Sequence, residues 1–161
     1  MIQLFTELQE KKNVRSNLSA LRASLKEATE EQKAQAIEFV RGHEDLVFGF
    51  LQEEDAKTRK NAALLLGDLA VQNALQPLWK AYTREQTLFV KSAYLEAMKA
   101  LHAEEILSQL KDRLAELEGE PVTEENRKHR EAELRALRAI LIQYEGIDTH
   151  HFDIKQKSNH V

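Results

Sequence analysis

The sequence contains no cysteine, two prolines, five glycines and a single tryptophan among 161 residues. Each scarcity excludes something. Without cysteine there is no disulfide framework and no thiolate metal site, which suits a reducing compartment. With so few turn residues an all-β fold is excluded, since its turns need glycine or proline roughly every 8–12 residues. No apolar run approaches the roughly 18 residues that a membrane-spanning helix requires. The opening "MIQLFTELQEKK" has neither a basic start nor a long apolar stretch, so no secretory signal is expected there. The reading is a cytoplasmic chain. The net charge of −4 carries no global nucleic-acid signature, although a local basic stripe is compatible with it.

What is abundant is alanine, leucine, glutamate, lysine, glutamine and arginine, all strong helix formers. Apolar residues make up 42% and charged residues 31%, enough for a core and for a solvated surface. The fold class is therefore all-α. A helical period of about 3.6 runs almost from end to end and predicts about eight helices joined by short loops. Leu18, Leu21 and Leu25 share one face. Thr29 with Gln32 forms a capping-box pattern, and Gly42 stops that helix. Asp55 is expected to cap "AKTRKNAALLLGDLA", and Asn73 to cap "ALQPLWKAY", where Pro77 is tolerated near a first turn. "GEPVT" is the clearest loop. The final helix is expected to end near Tyr144 and Gly146.

The helices repeat. With Thr58 counted as position zero, Arg59 stands at one, Asn61 at three, Leu65 at seven, Leu66 at eight and Leu69 at eleven. From Val90 the same positions hold Lys91, Ala93, Ala97, Met98 and Leu101. From His129 they hold Arg130, Ala132, Ala136, Leu137 and Ile140. From Thr29, positions seven, eight and eleven hold Ala36, Ile37 and Val40. The spacings are 29, 32 and 39 residues, the last stretched by "GEPVT". Small residues would let adjacent helix pairs approach, and large ones at eight and eleven would fill the layer between them. The cation at position one sits where the helix dipole disfavours it and needs a partner. Asp55 is expected to supply one for Arg59.

"DAKTRKNAALLLGDLA" resembles the second helix and preceding turn of a HEAT-type repeat of the PBS-lyase-like kind, with Thr58 where that family prefers valine. Val90-Lys91 keeps the valine and replaces the arginine. The resemblance covers about residues 44 to 101 well and extends loosely to 142. It implies a right-handed α-solenoid of about four antiparallel helix pairs over residues 1–146, with second helices facing a protein or nucleic-acid partner. The run into "YEGIDTHHFDIKQKSNHV" also resembles the N-terminal helical region of bacterial proteins that carry an RNA methylase domain, although none of that enzyme's own motifs is present. Residues 147–161 are accordingly read as a linker or the start of a following domain, with Phe152 and Ile154 on a strand-like alternation.

Four constellations could carry chemistry. Asp148, His150, His151 and Asp153 include adjacent histidines, which point apart on a regular backbone and make a poor metal site. His43-Glu44 matches the pairs of HEAT-type di-iron hydroxylases, but one pair is too few ligands. Trp79, Tyr82 and Tyr94 could stack on a base, yet their helical spacing reads as packing. Lys60, Lys99, Arg135 and Arg138 fall on second-helix positions facing away from neighbouring pairs. They are the candidate binding ridge for RNA or an acidic protein surface, with Asp68, Glu96 and Glu131 interspersed. No metal and no cofactor is expected. The function expected is a non-catalytic binding or scaffold module, the accessory part of a larger protein. The alternative is a HEAT-like DNA glycosylase, which needs a basic cleft with an aromatic and a catalytic aspartate.

Overall fold

The computed structural model describes residues 1–145, which are helical throughout and contain no strand. The candidate histidines at 150 and 151, and the expected strand at 152–154, lie outside these residues. Nine α-helices are described: α1 (Ile2–Gln9), α2 (Val14–Leu25), α3 (Glu30–Gly42), α4 (Glu44–Gly49), α5 (Ala56–Asp68), α6 (Leu75–Arg84), α7 (Leu88–Lys99), α8 (Leu107–Gly119) and α9 (Arg127–Glu145). After Gly42 the chain forms α4 followed by a 3-10 turn, Phe50–Gln52.

Local chemistry explains most boundaries. Thr29 and Gln32 exchange both capping-box hydrogen bonds at the start of α3. Asp55 accepts from the Thr58 backbone N–H at 2.9 Å and caps α5. Thr123 and Asn126 make the equivalent reciprocal pair just before α9. Asn73 does not cap α6. Its amide donates to the Glu44 carboxylate at 3.1 Å, and a 3-10 turn, Gln72–Ala74, precedes the helix. Pro77 lies in the first turn of α6, where its missing N–H costs nothing.

Helix α5 ends in a Schellman motif. The Val71 N–H bonds the Leu66 carbonyl and the Ala70 N–H bonds the Gly67 carbonyl, each at 3.0 Å. The left-handed residue is Ala70, φ 51°, where glycine would be at ease.

Contacts divide the chain into two compact units, Met1–Leu101 and a second beginning at His102. In the first unit α5 is central. It packs along α7 on one side and α2 on the other, while α1 packs on α2, α6 on α7, and the 3-10 turn Phe50–Gln52 on α5. The alignment from Thr29 makes α3 the counterpart of α5, but the helix lying along α5 is α2. Leu18, Leu21, Leu65, Leu66, Ala97, Met98 and Leu101 are all buried in this unit. Gly67 of α5 meets α7 at Ala97. A Cβ added to Gly67 would lie 2.8 Å from the Ala97 Cα, so the two backbones pass too closely for any larger residue. In the second unit α8 packs on α9, and Leu110, Leu114, Leu137 and Ile140 form its core.

Candidate functional site

Three of the aligned helices carry a cation at position one, and each of these finds a partner in the segment before its own helix. Arg59 donates through Nη1 to the Glu53 and Glu54 carbonyls, both at 2.8 Å, just past the 3-10 turn that ends the preceding helical run. Arg130 does the same to the end of α8, donating to the Leu117 carbonyl at 2.9 Å and the Glu118 carbonyl at 3.4 Å. Lys91 places its ammonium 5.7 Å from the centre of the Tyr82 ring in α6. The negative end of a helix is where a cation is favoured, so a residue badly placed for its own helix is well placed for its neighbour.

Arg59 has a carboxylate partner as well, and it is Glu85 rather than Asp55. Its Nε donates to Oε1 at 2.9 Å and its Nη2 to Oε2 at 2.8 Å, a two-bond fork. The Tyr94 hydroxyl donates to Oε1 at 2.8 Å and the Thr87 N–H to Oε2 at 3.1 Å. The Glu85 side chain is only 4% exposed. Burial pushes its carboxyl up, but the guanidinium, the Thr87 N–H and the Tyr94 hydroxyl outweigh that and hold it below the usual carboxylate range. Burial, reinforced by the hydrogen bond to Glu85, pushes the Tyr94 hydroxyl upward. Asp55 spends its carboxylate on the Thr58 hydroxyl and N–H and stands 3.5 Å from Arg15.

Beside this network, within the first unit, lies a groove of about 550 Å³. Phe48, Leu51, Pro77 and Ala81 supply its apolar lining, and Lys80, Arg84, Gln52 and Gln86 its polar edge. Lys80 and Arg84, one turn apart on α6, are exposed and make no ion pair among the described residues.

The expected ridge residues lie two in each unit. Lys60 extends toward the Phe89 ring, 6.0 Å from its centre, and Lys99 is exposed at the end of α7. Arg135 is exposed on α9, and Arg138 is half-buried with Nη2 3.4 Å from Glu118. Tyr82 and Tyr94 are buried, and Trp79 is half-buried with its ring 5.4 Å from that of Tyr82, as packing residues are. His43 hydrogen-bonds the Phe39 carbonyl through Nδ1 and Gln9 through Nε2, and stacks on Phe39. Among the described residues no three histidine or acidic side chains gather as a metal site.

Sequence reasoning missed Glu85, Lys80 and Arg84. The last two carried a signal, an i,i+4 pair of cations on an amphipathic helix. Glu85 carried none, because its partner Arg59 is 26 residues away. No family model, curated protein or solved structure matches this chain.

Proposed function

We propose that the chain is a non-catalytic helical-repeat module that binds a protein partner, serving as the accessory part of a larger protein such as one with an RNA methylase domain. The observation that carries this reading is the recurrent position-one cation. Arg59, Lys91 and Arg130 each hold the helical segment before their own, which is how successive helix pairs of one plan would be secured. The layer α2–α5–α7 supports it: like helices lie side by side, and Gly67 against Ala97 sets their approach. Such arrays commonly present an extended binding surface.

The glycosylase alternative asks for an acid free to act in a basic cleft. The carboxylate lining the groove is Glu85, and three donors already occupy it. A protein ligand also suits the groove's apolar lining better than a polyanion does.

A photo-crosslinking phenylalanine placed at exposed Phe89 in the first unit, and at exposed Val122 in the second, tests the reading in the full chain. Irradiation in cells should give adducts larger than the chain whose size nuclease leaves unchanged. Adducts that nuclease reduces to the size of the chain alone, or base release from duplex DNA by the purified chain, would contradict it.

A further inference from the structure

We propose that the groove lined by Phe48, Leu51, Pro77 and Ala81 receives an acidic segment of a partner protein that carries a large apolar side chain. The inference rests on the binding-module reading and names the place and the chemistry of the ligand.

Three observations converge on that occupant. First, the groove offers apolar surface: Phe48, Pro77 and Ala81 are only half-buried in the absence of a ligand, and Leu51 lies beneath. A bulky aliphatic or aromatic anchor would remove that surface from water. Second, the charge left over at the groove is positive. Glu85 and Arg59 neutralise each other in their fork, so Lys80 and Arg84 remain with no counter-ion among the described residues. Arg84 stands in the last turn of α6, where the helix dipole favours a cation, but Lys80 lies a turn earlier and the two like charges repel at i,i+4. A carboxylate on the ligand would relieve that repulsion. Third, the wall is held in place beforehand. Arg59 ties the end of the Phe50–Gln52 turn to Glu85 just after α6, and Tyr94 of α7 holds the same carboxylate. A groove fixed in this way loses little freedom when it is filled.

The same features disfavour nucleic acid. Two cations beside an apolar lining follow too few phosphates, and of the two aromatic rings in that lining Tyr94 is fully buried, which leaves Phe48 as a single face rather than a run of stacking platforms. Most of the groove's lining comes from α4, the turn after it and α6, with Arg59 of α5 and Tyr94 of α7 also facing it, and none of Lys60, Lys99, Arg135 and Arg138 of the expected ridge lines it.

The test uses the full chain, ¹⁵N-labelled, titrated with three short peptides of equal length. One alternates leucine and glutamate, one leucine and lysine, and one serine and glutamate. The leucine–glutamate peptide should shift the amides of Gln52, Lys80, Arg84 and Gln86, and should bind about tenfold more tightly than either of the others. Lys80→Glu with Arg84→Glu should weaken it by about tenfold, as should a several-fold rise in ionic strength. Ala81→Trp, which fills the groove without touching its charges, should weaken it as much at low salt. Circular dichroism establishes that both variants remain folded. Equal binding of the three peptides, no binding by any of them, or insensitivity to both variants would overturn the proposal. A U-rich RNA that shifts the same amides at lower concentration would overturn it too. Shifts by the leucine–glutamate peptide confined to other residues would remove the groove and leave the module reading standing, whereas nuclease-sensitive crosslinks alone would remove that reading itself.

Discussion

Arg59 closes a fork on Glu85 across 26 residues of sequence, with both N–H···O distances between 2.8 and 2.9 Å. The pair joins the start of α5 to the connection between α6 and α7. Removing the cation strands a buried carboxylate, so Arg59→Met should cost about 3 kcal/mol at neutral pH. The pH dependence has a definite sign. Glu85 is held below its ordinary value in the folded protein, so its contribution is present above the ordinary carboxylate range and is lost as pH falls through the folded value. In Arg59→Met burial dominates and the carboxyl moves upward, so the deficit should shrink on acidification. Urea unfolding of both proteins at neutral and mildly acidic pH checks this. A deficit that stays constant or grows toward acid would contradict it.

Ala70 occupies the left-handed position of the Schellman motif after α5 without the freedom of glycine. Ala70→Gly should stabilise the protein by up to about 1 kcal/mol, because an L-residue pays about that much for this backbone conformation. The residue is exposed, so no packing is lost. A lower urea midpoint for the variant would contradict the assignment.

Leu65 is 1% exposed and Leu69 7% exposed. Truncating either to alanine should cost about 2–5 kcal/mol, with Leu65 the more expensive. Thermal unfolding measures this, and unchanged midpoints for both would place them outside the core.

Gly67 and Gly49 should respond oppositely to alanine. At Gly49 a Cβ meets nothing within 4 Å and the backbone is already helical, so Gly49→Ala should gain about 0.5–1 kcal/mol. At Gly67 the Ala97 backbone blocks the new methyl at 2.8 Å. Gly67→Ala should lose about 1–3 kcal/mol despite alanine's better helix propensity. Equal effects at both sites, read from urea midpoints, would contradict the close approach.

What was legible in the sequence was local. The Thr29–Gln32 box, the Asp55 cap and the ends at Gly42 and Gly119 follow from short-range chemistry and stand where expected. The buried set at Leu65, Leu66, Met98, Leu101, Leu137 and Ile140 follows from a period that burial imposes. Contacts between distant segments were not legible. Nothing near Arg59 in sequence announces Glu85, and nothing near Asn73 announces Glu44. Counting Val14 as zero puts Arg15 at one, Asn17 at three, Leu21 at seven and Leu25 at eleven, as in Arg59, Asn61, Leu65 and Leu69, but Arg22 stands at eight where α5 has Leu66. The alternation of small and large residues points to α3, whereas α2 is the helix that packs on α5. The groove was illegible because its lining comes from α4, the following turn, α6 and single residues of α5 and α7, segments that meet only in the folded chain.

In the layer α2–α5–α7, helices α5 and α7 touch backbone to backbone at Gly67 and Ala97. One ¹³C-edited NOESY spectrum tests it without altering the protein. Gly67 Hα to the Ala97 methyl should give one of the strongest long-range cross-peaks, since a Cβ at Gly67 would stand only 3.2 Å from the Ala97 Cβ. If that cross-peak is absent while both residues are assigned and helical, α5 and α7 do not pack in this register, and the repeat account falls with it.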